Sequence, residues 1–302
     1  MNASQSDLRA VSGRPALAQS PQSLVVPPGR PSVNVPILMY HYVRVNPDPA
    51  DQLGFNLSVT PSGFSAQMDW LARNGYHPID LEDLRGYLLS NQPLPDRPVV
   101  ITLDDGYRDL YTAAYPILRA HRFKAVAYIV SGFLGRPANV TAEQVVEMNA
   151  NGIEIGSHTV THVDLARAPA PELHRQVSDS KATLEALLGH PVLDFCYPSG
   201  AVDPEVAQAV AAAGYQSATT TAEGTLHSAA DRFLWSRVRV SGGESLSDFV
   251  ARLGSEEPAE RGPAGNQPAV LTATPPLRPP LNHGVSGETA PPGEPMAEAL
   301  TP

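Results

Sequence analysis

The sequence contains one cysteine, no long apolar run and no excess of basic residues, and each absence excludes a class of protein. Cys196 is the only cysteine among 302 residues, so the chain cannot form an internal disulfide. No apolar stretch approaches the roughly 18 residues of a transmembrane helix. Acidic residues outnumber basic ones 31 to 21, and no basic stripe is present. We therefore expect neither a membrane span nor a nucleic-acid partner.

Proline is abundant and unevenly placed. Of the 31 prolines, 11 fall in residues 255–302. That segment and residues 1–32 lack apolar periodicity, so we predict that both are disordered. Residues 33–254 are then the folded domain. Residues 1–15 contain no apolar stretch of the kind that a secretory signal needs, so no signal peptide is readable in this chain.

Apolar strand-like runs alternate with helical patterns across the predicted domain. The predicted strands are 35–40, 99–103, 124–131, 153–157, 192–197, 217–221 and 235–240. Helical signals lie between them, such as the cap formed by Thr60 and Pro61 and the capping box at 141–144. Near-continuous apolar strands separated by helices favour a parallel sheet covered on both faces. We therefore predict the α/β class, as a closed or distorted β/α barrel with its site at the carboxyl ends of the strands.

Two short segments at predicted strand ends carry the chemistry. Asp104 and Asp105 follow the second strand, and His158 and His162 follow the fourth. One carboxylate with two imidazoles is a common ligand set for a catalytic divalent metal. The second carboxylate is then free to act as a base on water. Taken alone, the two acids are more often plain turn residues and the two histidines more often surface loop residues. Together they predict a metal-dependent hydrolase with one divalent ion; zinc is favoured, and other divalent ions are allowed.

These segments resemble the first two motifs of the polysaccharide deacetylase family, also called the NodB-homology domain or carbohydrate esterase family 4. Residues 102–106 read Thr-Leu-Asp-Asp-Gly, and residues 157–162 read Ser-His-Thr-Val-Thr-His. The resemblance covers about residues 33–254. It implies a distorted (β/α) barrel of the NodB-homology type, a polysaccharide substrate and an extracytoplasmic location.

The resemblance also assigns roles to these residues. It implies that Asp104 is the general base and that Asp105, His158 and His162 hold the metal. Tyr107 follows the first motif, and we expect it to line the substrate groove.

Two further segments resemble the third and fourth family motifs, although some of their residues differ from the usual ones. Residues 195–200, Phe-Cys-Tyr-Pro-Ser-Gly, stand where the third motif usually ends in Pro-Tyr-Gly. A backbone donor survives the change to serine, so the resemblance implies that the Ser199 N–H holds the oxyanion, with Tyr197 and Pro198 contacting the substrate. Residues 235–240 resemble the fourth motif, whose arginine pairs with the base. Arg237 is the better candidate, and Arg239 on the same strand face is the alternative.

The fifth motif, a Leu-x-His sequence, has no counterpart with a strand context. His283 lies in the proline-rich segment. Residues 36–43 instead resemble the Tyr-His strand of the subgroup that includes poly-N-acetylglucosamine deacetylases, which implies that His41 is the general acid.

The expected activity is removal of N-acetyl groups from an N-acetylglucosamine-containing polysaccharide of a cell wall or exopolysaccharide. Two alternatives stay open: an O-acetyl esterase on a xylan-like polymer, and a glycan-binding module without turnover. Acetate release with and without a chelator separates the three.

Overall fold

The computed structural model describes residues 32–253 of the chain. The segments predicted to be disordered, 1–32 and 255–302, lie outside the described residues except for Ser32, as does His283. The strands are β1 (Val33–Asn34), β2 (Ile37–Tyr40), β3 (Tyr42–Val43), β4 (Ser58–Val59), β5 (His77–Ile79), β6 (Pro98–Leu103), β7 (Ala125–Ile129), β8 (Ile153–Ser157), β9 (Asp194–Cys196), β10 (Ser217–Glu223), β11 (Leu226–His227) and β12 (Trp235–Arg239). The helices are α1 (Gln52–Leu57), α2 (Pro61–Arg73), α3 (Leu81–Ser90), α4 (Tyr115–His121), α5 (Ala142–Ala150), α6 (Ala170–Leu188), α7 (Pro204–Ala212) and α8 (Leu246–Arg252).

Seven strands within residues 32–253 close into a parallel barrel. Their order is β2-β12-β10-β9-β8-β7-β6, and β6 pairs back with β2. Each neighbouring pair is parallel. The strand β5 extends the sheet outside β6 and does not enter the closed ring. The predicted distorted (β/α) barrel is therefore confirmed, and the carboxyl ends of its strands meet at one end of the barrel.

Side chains of the strands alternate between the inside of the barrel and the surrounding helices. In β6, Val99 and Ile101 belong to the large apolar cluster shared with α2, α4, α5 and α6, whereas Val100 belongs to a second cluster. The second cluster includes three leucines of α3, namely Leu81, Leu84 and Leu88. Arg85 of α3 pairs with Asp194 at the start of β9. Helix α3 therefore covers the amino-terminal end of the barrel and leaves the opposite end for the site.

Local sequence signals set most element bounds. The Thr60 hydroxyl accepts a hydrogen bond from the Gly63 N–H at 3.0 Å and caps α2, as predicted. The predicted capping box at the start of α5 is present. A π-helical turn, Leu110–Ala114, precedes α4. Such turns are frequent beside functional sites.

Across 32–253, no helix is both long enough and apolar enough to cross a bilayer.

Candidate active site

The carboxyl ends of neighbouring barrel strands bring the predicted polar residues together. Asp104 follows β6, and its N–H donates to the Tyr40 carbonyl of β2 at 2.9 Å. His158 follows β8, and its N–H donates to the Ile129 carbonyl of β7 at 2.9 Å. His41 follows β2 and lies beside Asp104. The strand ladder thus continues into the loops and fixes where these side chains begin.

Asp105, His158 and His162 converge on one point. The Asp105 Oδ1 atom lies 3.3 Å from His158 Nε2 and 3.2 Å from His162 Nε2. This Oδ1 atom is buried and has no hydrogen-bond partner among the described residues. The three ligand atoms lie within 4.8 Å of one another. An orphaned carboxylate oxygen facing two imidazole nitrogens is what a bound divalent cation would satisfy, so these residues fit a metal ion.

The second nitrogen of His158 supports this arrangement. His158 Nδ1 lies 2.7 Å from the carbonyl oxygen of Cys196. Donation of the Nδ1 proton to that carbonyl leaves the Nε2 lone pair facing Asp105. A second group, Asp104, His158 and Cys196, also has its ligand atoms within 4.8 Å. We favour the first group because both Asp104 oxygens already accept hydrogen bonds from Arg237.

Asp104 is held by a fully buried arginine. Arg237 Nη1 and Nη2 donate to the two Asp104 oxygens at 2.7 and 2.8 Å. Arg237 also donates to the Thr220 carbonyl and the Thr102 hydroxyl, at 2.8 and 3.0 Å. Burial raises the pKa of the Asp104 carboxyl, but the charge and hydrogen bonds of Arg237 outweigh burial and hold the pKa below its ordinary range. Asp104 is therefore ionised at neutral pH and oriented. Of the two candidate arginines, the structure brings Arg237 to this carboxylate, whereas Arg239 is only half-buried.

Comparison with known proteins agrees with this geometry. The model of the polysaccharide deacetylase family matches residues 91–218. YxkH of Bacillus subtilis, whose name assigns it to the polysaccharide deacetylases, is 33% identical over 221 residues, 73% of this chain and 76% of YxkH. The chain belongs to the polysaccharide deacetylase family. It is therefore a hydrolase of carbohydrate polymers by descent.

Two further relatives show how much of the chain is similar to known deacetylases. The Streptococcus pyogenes deacetylase PplD, solved in complex with acetate, is 32% identical, with a TM-score of 0.69 over 74% of this chain and 99% of that chain. The poly-β-1,6-N-acetyl-D-glucosamine N-deacetylase of Escherichia coli K12 is 34% identical over 119 residues, which are 34% of this chain and 18% of that protein. The similarity to PplD extends over the barrel, whereas the similarity to the E. coli enzyme is confined to part of it.

His41, the predicted general acid, lies beside Asp104 in the structure of this deacetylase. Its Nε2 atom is 3.8 Å from Asp104 Oδ2, and its side chain is 14% exposed. Burial lowers the pKa of His41, while the negative charges of Asp104 and Asp105 act in the opposite direction. The prediction that His41 and not His283 completes the site stays a prediction, because His283 lies outside the described residues.

In the turn after β9, the positions of Tyr197 and Pro198 differ from those that their predicted role requires. Cys196 points into the barrel, with its Sγ atom 3.2 Å from Arg237 Nη2, so its neighbour Tyr197 points outward. The Tyr197 ring is fully buried against Phe195, with centroids 5.3 Å apart, and Pro198 is also buried. The structure therefore does not support Tyr197 and Pro198 as substrate-binding residues.

Ser199 is exposed in this turn, in a left-handed conformation with φ of 55°. Left-handed backbone recurs in the loops that carry the other predicted site residues. The three further positions are Asp105, Thr159 and His162, with φ of 71°, 68° and 58°. Each such non-glycine residue costs on the order of 1 kcal/mol, and such strain concentrates at functional sites.

Tyr107 lines a cleft together with two of the candidate metal ligands, Asp105 and His162. The cleft has a volume of about 290 Å³ and is bounded by Asp105, Tyr107, Phe133, Thr161 and His162. The Tyr107 ring stacks on Tyr42 with centroids 3.6 Å apart. Tyr107, which was expected to line a substrate groove, thus lies at a cleft. Sequence reasoning missed Phe133, although its position just beyond a barrel strand was a usable signal.

Proposed function

We propose that this deacetylase removes N-acetyl groups from a polysaccharide containing N-acetylglucosamine, with one divalent metal held by Asp105, His158 and His162. The observation that carries the proposal is the separation of two adjacent carboxylates. One faces two imidazoles and has an unpartnered oxygen, and the other is held ionised by Arg237 beside His41. A ligand set, a base and an acid then lie together at one end of the barrel.

A divalent metal in this place would supply Lewis acidity toward the acetyl carbonyl and lower the pKa of water. Asp104 accepts the proton of the attacking water, and Arg237 keeps its carboxylate oriented. The water oxygen bonds to the acetyl carbon, and the C–N bond breaks. His41 donates a proton to the departing nitrogen, which leaves as an amine, and acetate is the second product. The Ser199 N–H is the proposed donor to the oxygen that becomes negative.

The placement of His41 favours an amide over an ester. An amine is expelled poorly without a proton, whereas a sugar alcohol depends less on an acid. The N-deacetylase name of the E. coli relative supports the same choice. The complete set of polar side chains argues against a glycan-binding module that has lost turnover.

Acetate release tests the proposal. The purified chain is assayed on chitin oligomers, poly-N-acetylglucosamine, peptidoglycan and acetylxylan, before and after chelation and with zinc added back. We expect release from one or more N-acetylated polymers that stops with chelator, returns with metal and is absent with Asp104→Asn. Release from acetylxylan alone would identify an esterase, and no release from any polymer would refute the proposed activity.

A further inference from the structure

The loop after β7, residues 131–140, is hydrogen-bonded to both of the loops that carry the proposed metal ligands. On one side, the Ser131 N–H donates to the Thr159 carbonyl at 3.0 Å, and the Gly132 N–H donates to the Val160 carbonyl at 2.9 Å. A Cβ atom at Gly132 would lie 2.5 Å from that Val160 oxygen, so only glycine permits this approach. The loop is thereby fixed against the backbone between His158 and His162.

On its other side, the same loop is hydrogen-bonded to the backbone around Asp105. The Val140 N–H donates to the Gly106 carbonyl at 3.0 Å, and the Arg108 N–H donates to the Ala138 carbonyl at 2.8 Å. The buried Asn139 amide lies 3.3 Å from the carbonyl oxygens of both Asp105 and Gly106. Any side chain that this loop directs into the cleft is therefore held in fixed relation to the metal-ligand residues.

Phe133 is the side chain that the loop contributes to the cleft. It is half-buried and lines the cleft with Tyr107, Asp105 and His162. Arg136 covers its ring, with Cζ 3.9 Å from the ring centroid. The Tyr107 ring is backed by Tyr42, which in turn is covered by a guanidinium. The cleft thus has two aromatic side chains beside the proposed metal ligands, and the ring of each is in contact with a neighbouring side chain.

We propose that Phe133 is a substrate-contacting residue whose ring packs on the apolar face of the N-acetylated pyranose and directs its acetamido group to Asp105 and His162. This inference rests on the proposed function and adds a specificity-determining residue to it. A pyranose presents an apolar C–H face, and a rigid, supported aromatic ring matches it at low cost in conformational entropy. Among the described residues, Phe133 is half-buried and belongs to neither apolar cluster, so the core does not account for it.

The test replaces Phe133 and compares it with a matched aromatic elsewhere. Phe133→Leu keeps apolar volume without an aromatic face, and Phe133→Trp keeps the face. Tyr76 is the control because it is also aromatic and backed by an arginine, with Arg97 Cζ 4.4 Å from its centroid, near the amino-terminal end of the barrel. Affinity for a chitin tetramer is measured by calorimetry in the zinc-loaded Asp104→Asn protein, and kcat and KM are measured in the otherwise wild-type chain.

We expect Phe133→Leu to weaken tetramer affinity about fivefold to tenfold and to raise KM more than it lowers kcat. Phe133→Trp should restore most of the affinity, and Tyr76→Leu should change it less than twofold. Metal content and thermal stability should stay near wild type in all three variants.

Unchanged affinity in Phe133→Leu would overturn the inference, as would lost zinc or a failure of Phe133→Trp to restore binding, because either would show a structural role. Absence of tetramer binding in the parent protein would also overturn it. Tetramer binding that depends on Phe133 without acetate release from any polymer would refute the proposed activity and leave this inference standing.

Discussion

Arg237 and Asp104 form a two-point ion pair that is buried inside one end of the barrel, with nitrogen–oxygen distances of 2.7 and 2.8 Å. Arg237 is fully buried, and Asp104 is 3% exposed. The pair links β12 to the loop after β6, two elements that are 133 residues apart in the chain. Removal of either partner leaves the charge of the other buried without compensation.

The first prediction concerns the stability of this pair. Arg237→Met should lower the free energy of unfolding by about 3–5 kcal/mol, because it leaves the buried Asp104 charge without a partner. The double variant Asp104→Leu with Arg237→Met should recover most of that loss while remaining inactive. Urea unfolding of the single and double variants measures both effects. Arg239→Gln, on the same strand but half-buried, is the control, and an equal loss there would contradict the special role of Arg237.

The second prediction separates the base from the metal ligands. Asp104→Asn should keep the metal, because its oxygens contact Arg237 and not the Asp105 group. Turnover should fall by about 10²–10⁴, the usual effect of losing a general base. Elemental analysis and acetate release are measured on the same preparation. Loss of metal together with activity would show that Asp104 is itself a ligand.

The third prediction concerns the proposed ligands. His162→Ala should release the metal with little loss of stability, because this side chain is 33% exposed. His158→Ala should release the metal and also destabilise the fold, because it removes the buried hydrogen bond to the Cys196 carbonyl. Metal stoichiometry and urea unfolding are compared with His190→Ala, an exposed histidine. Full metal content in both ligand variants would refute the assignment.

The sequence predicted the barrel and the residues at its strand ends because these depend on local patterns. Apolar runs and helix caps defined the elements, and β8 occurs at the predicted residues Ile153–Ser157. Since parallel strands end at the same edge, Asp104, Asp105 and His158 could be placed together before any contact was known.

Other features depend on contacts that no local pattern encodes. Every residue of β9 and its turn to Pro198 is buried, so apolar character could not show which side chains point into the barrel. The role of Tyr197 was expected from the resemblance to the third family motif, and the burial of its ring depends on packing that the motif does not encode. Short strands such as β3 and β5 exist only through their pairing partners. The hydrogen bond from His158 to the Cys196 carbonyl and the placement of Phe133 beside His162 likewise arise from tertiary packing.

The fourth prediction concerns pH and stability. Asp109 has a buried Oδ1 atom that finds no hydrogen-bond partner among the described residues, and burial raises its pKa to about 6 against opposing effects from the Val43 backbone and Arg44. The folded state therefore binds this proton more tightly than the unfolded state, and stability is lost as pH rises from about 4 through 6. Asp109→Asn should remove this loss, so its advantage over wild type should grow by on the order of 2 kcal/mol between pH 4 and pH 7.5. Urea unfolding at several pH values measures it. Asp179→Asn, at an exposed position of α6, should show no such trend.

The fifth prediction concerns the leaving group. His41 lies 3.8 Å from Asp104 Oδ2 and is the proposed proton donor to an expelled amine. His41→Ala should lower turnover on N-acetylglucosamine oligomers by about 10²-fold or more, and should lower hydrolysis of aryl acetate esters much less, because a phenolate leaves without a proton. Since His41 is not among the proposed ligands, metal content should stay unchanged. His283→Ala should have no effect on either substrate. Equal losses on amide and ester would mean that His41 orients Asp104 and is not a proton donor, and an inactive His283→Ala variant would transfer the acid role to the carboxyl-terminal segment.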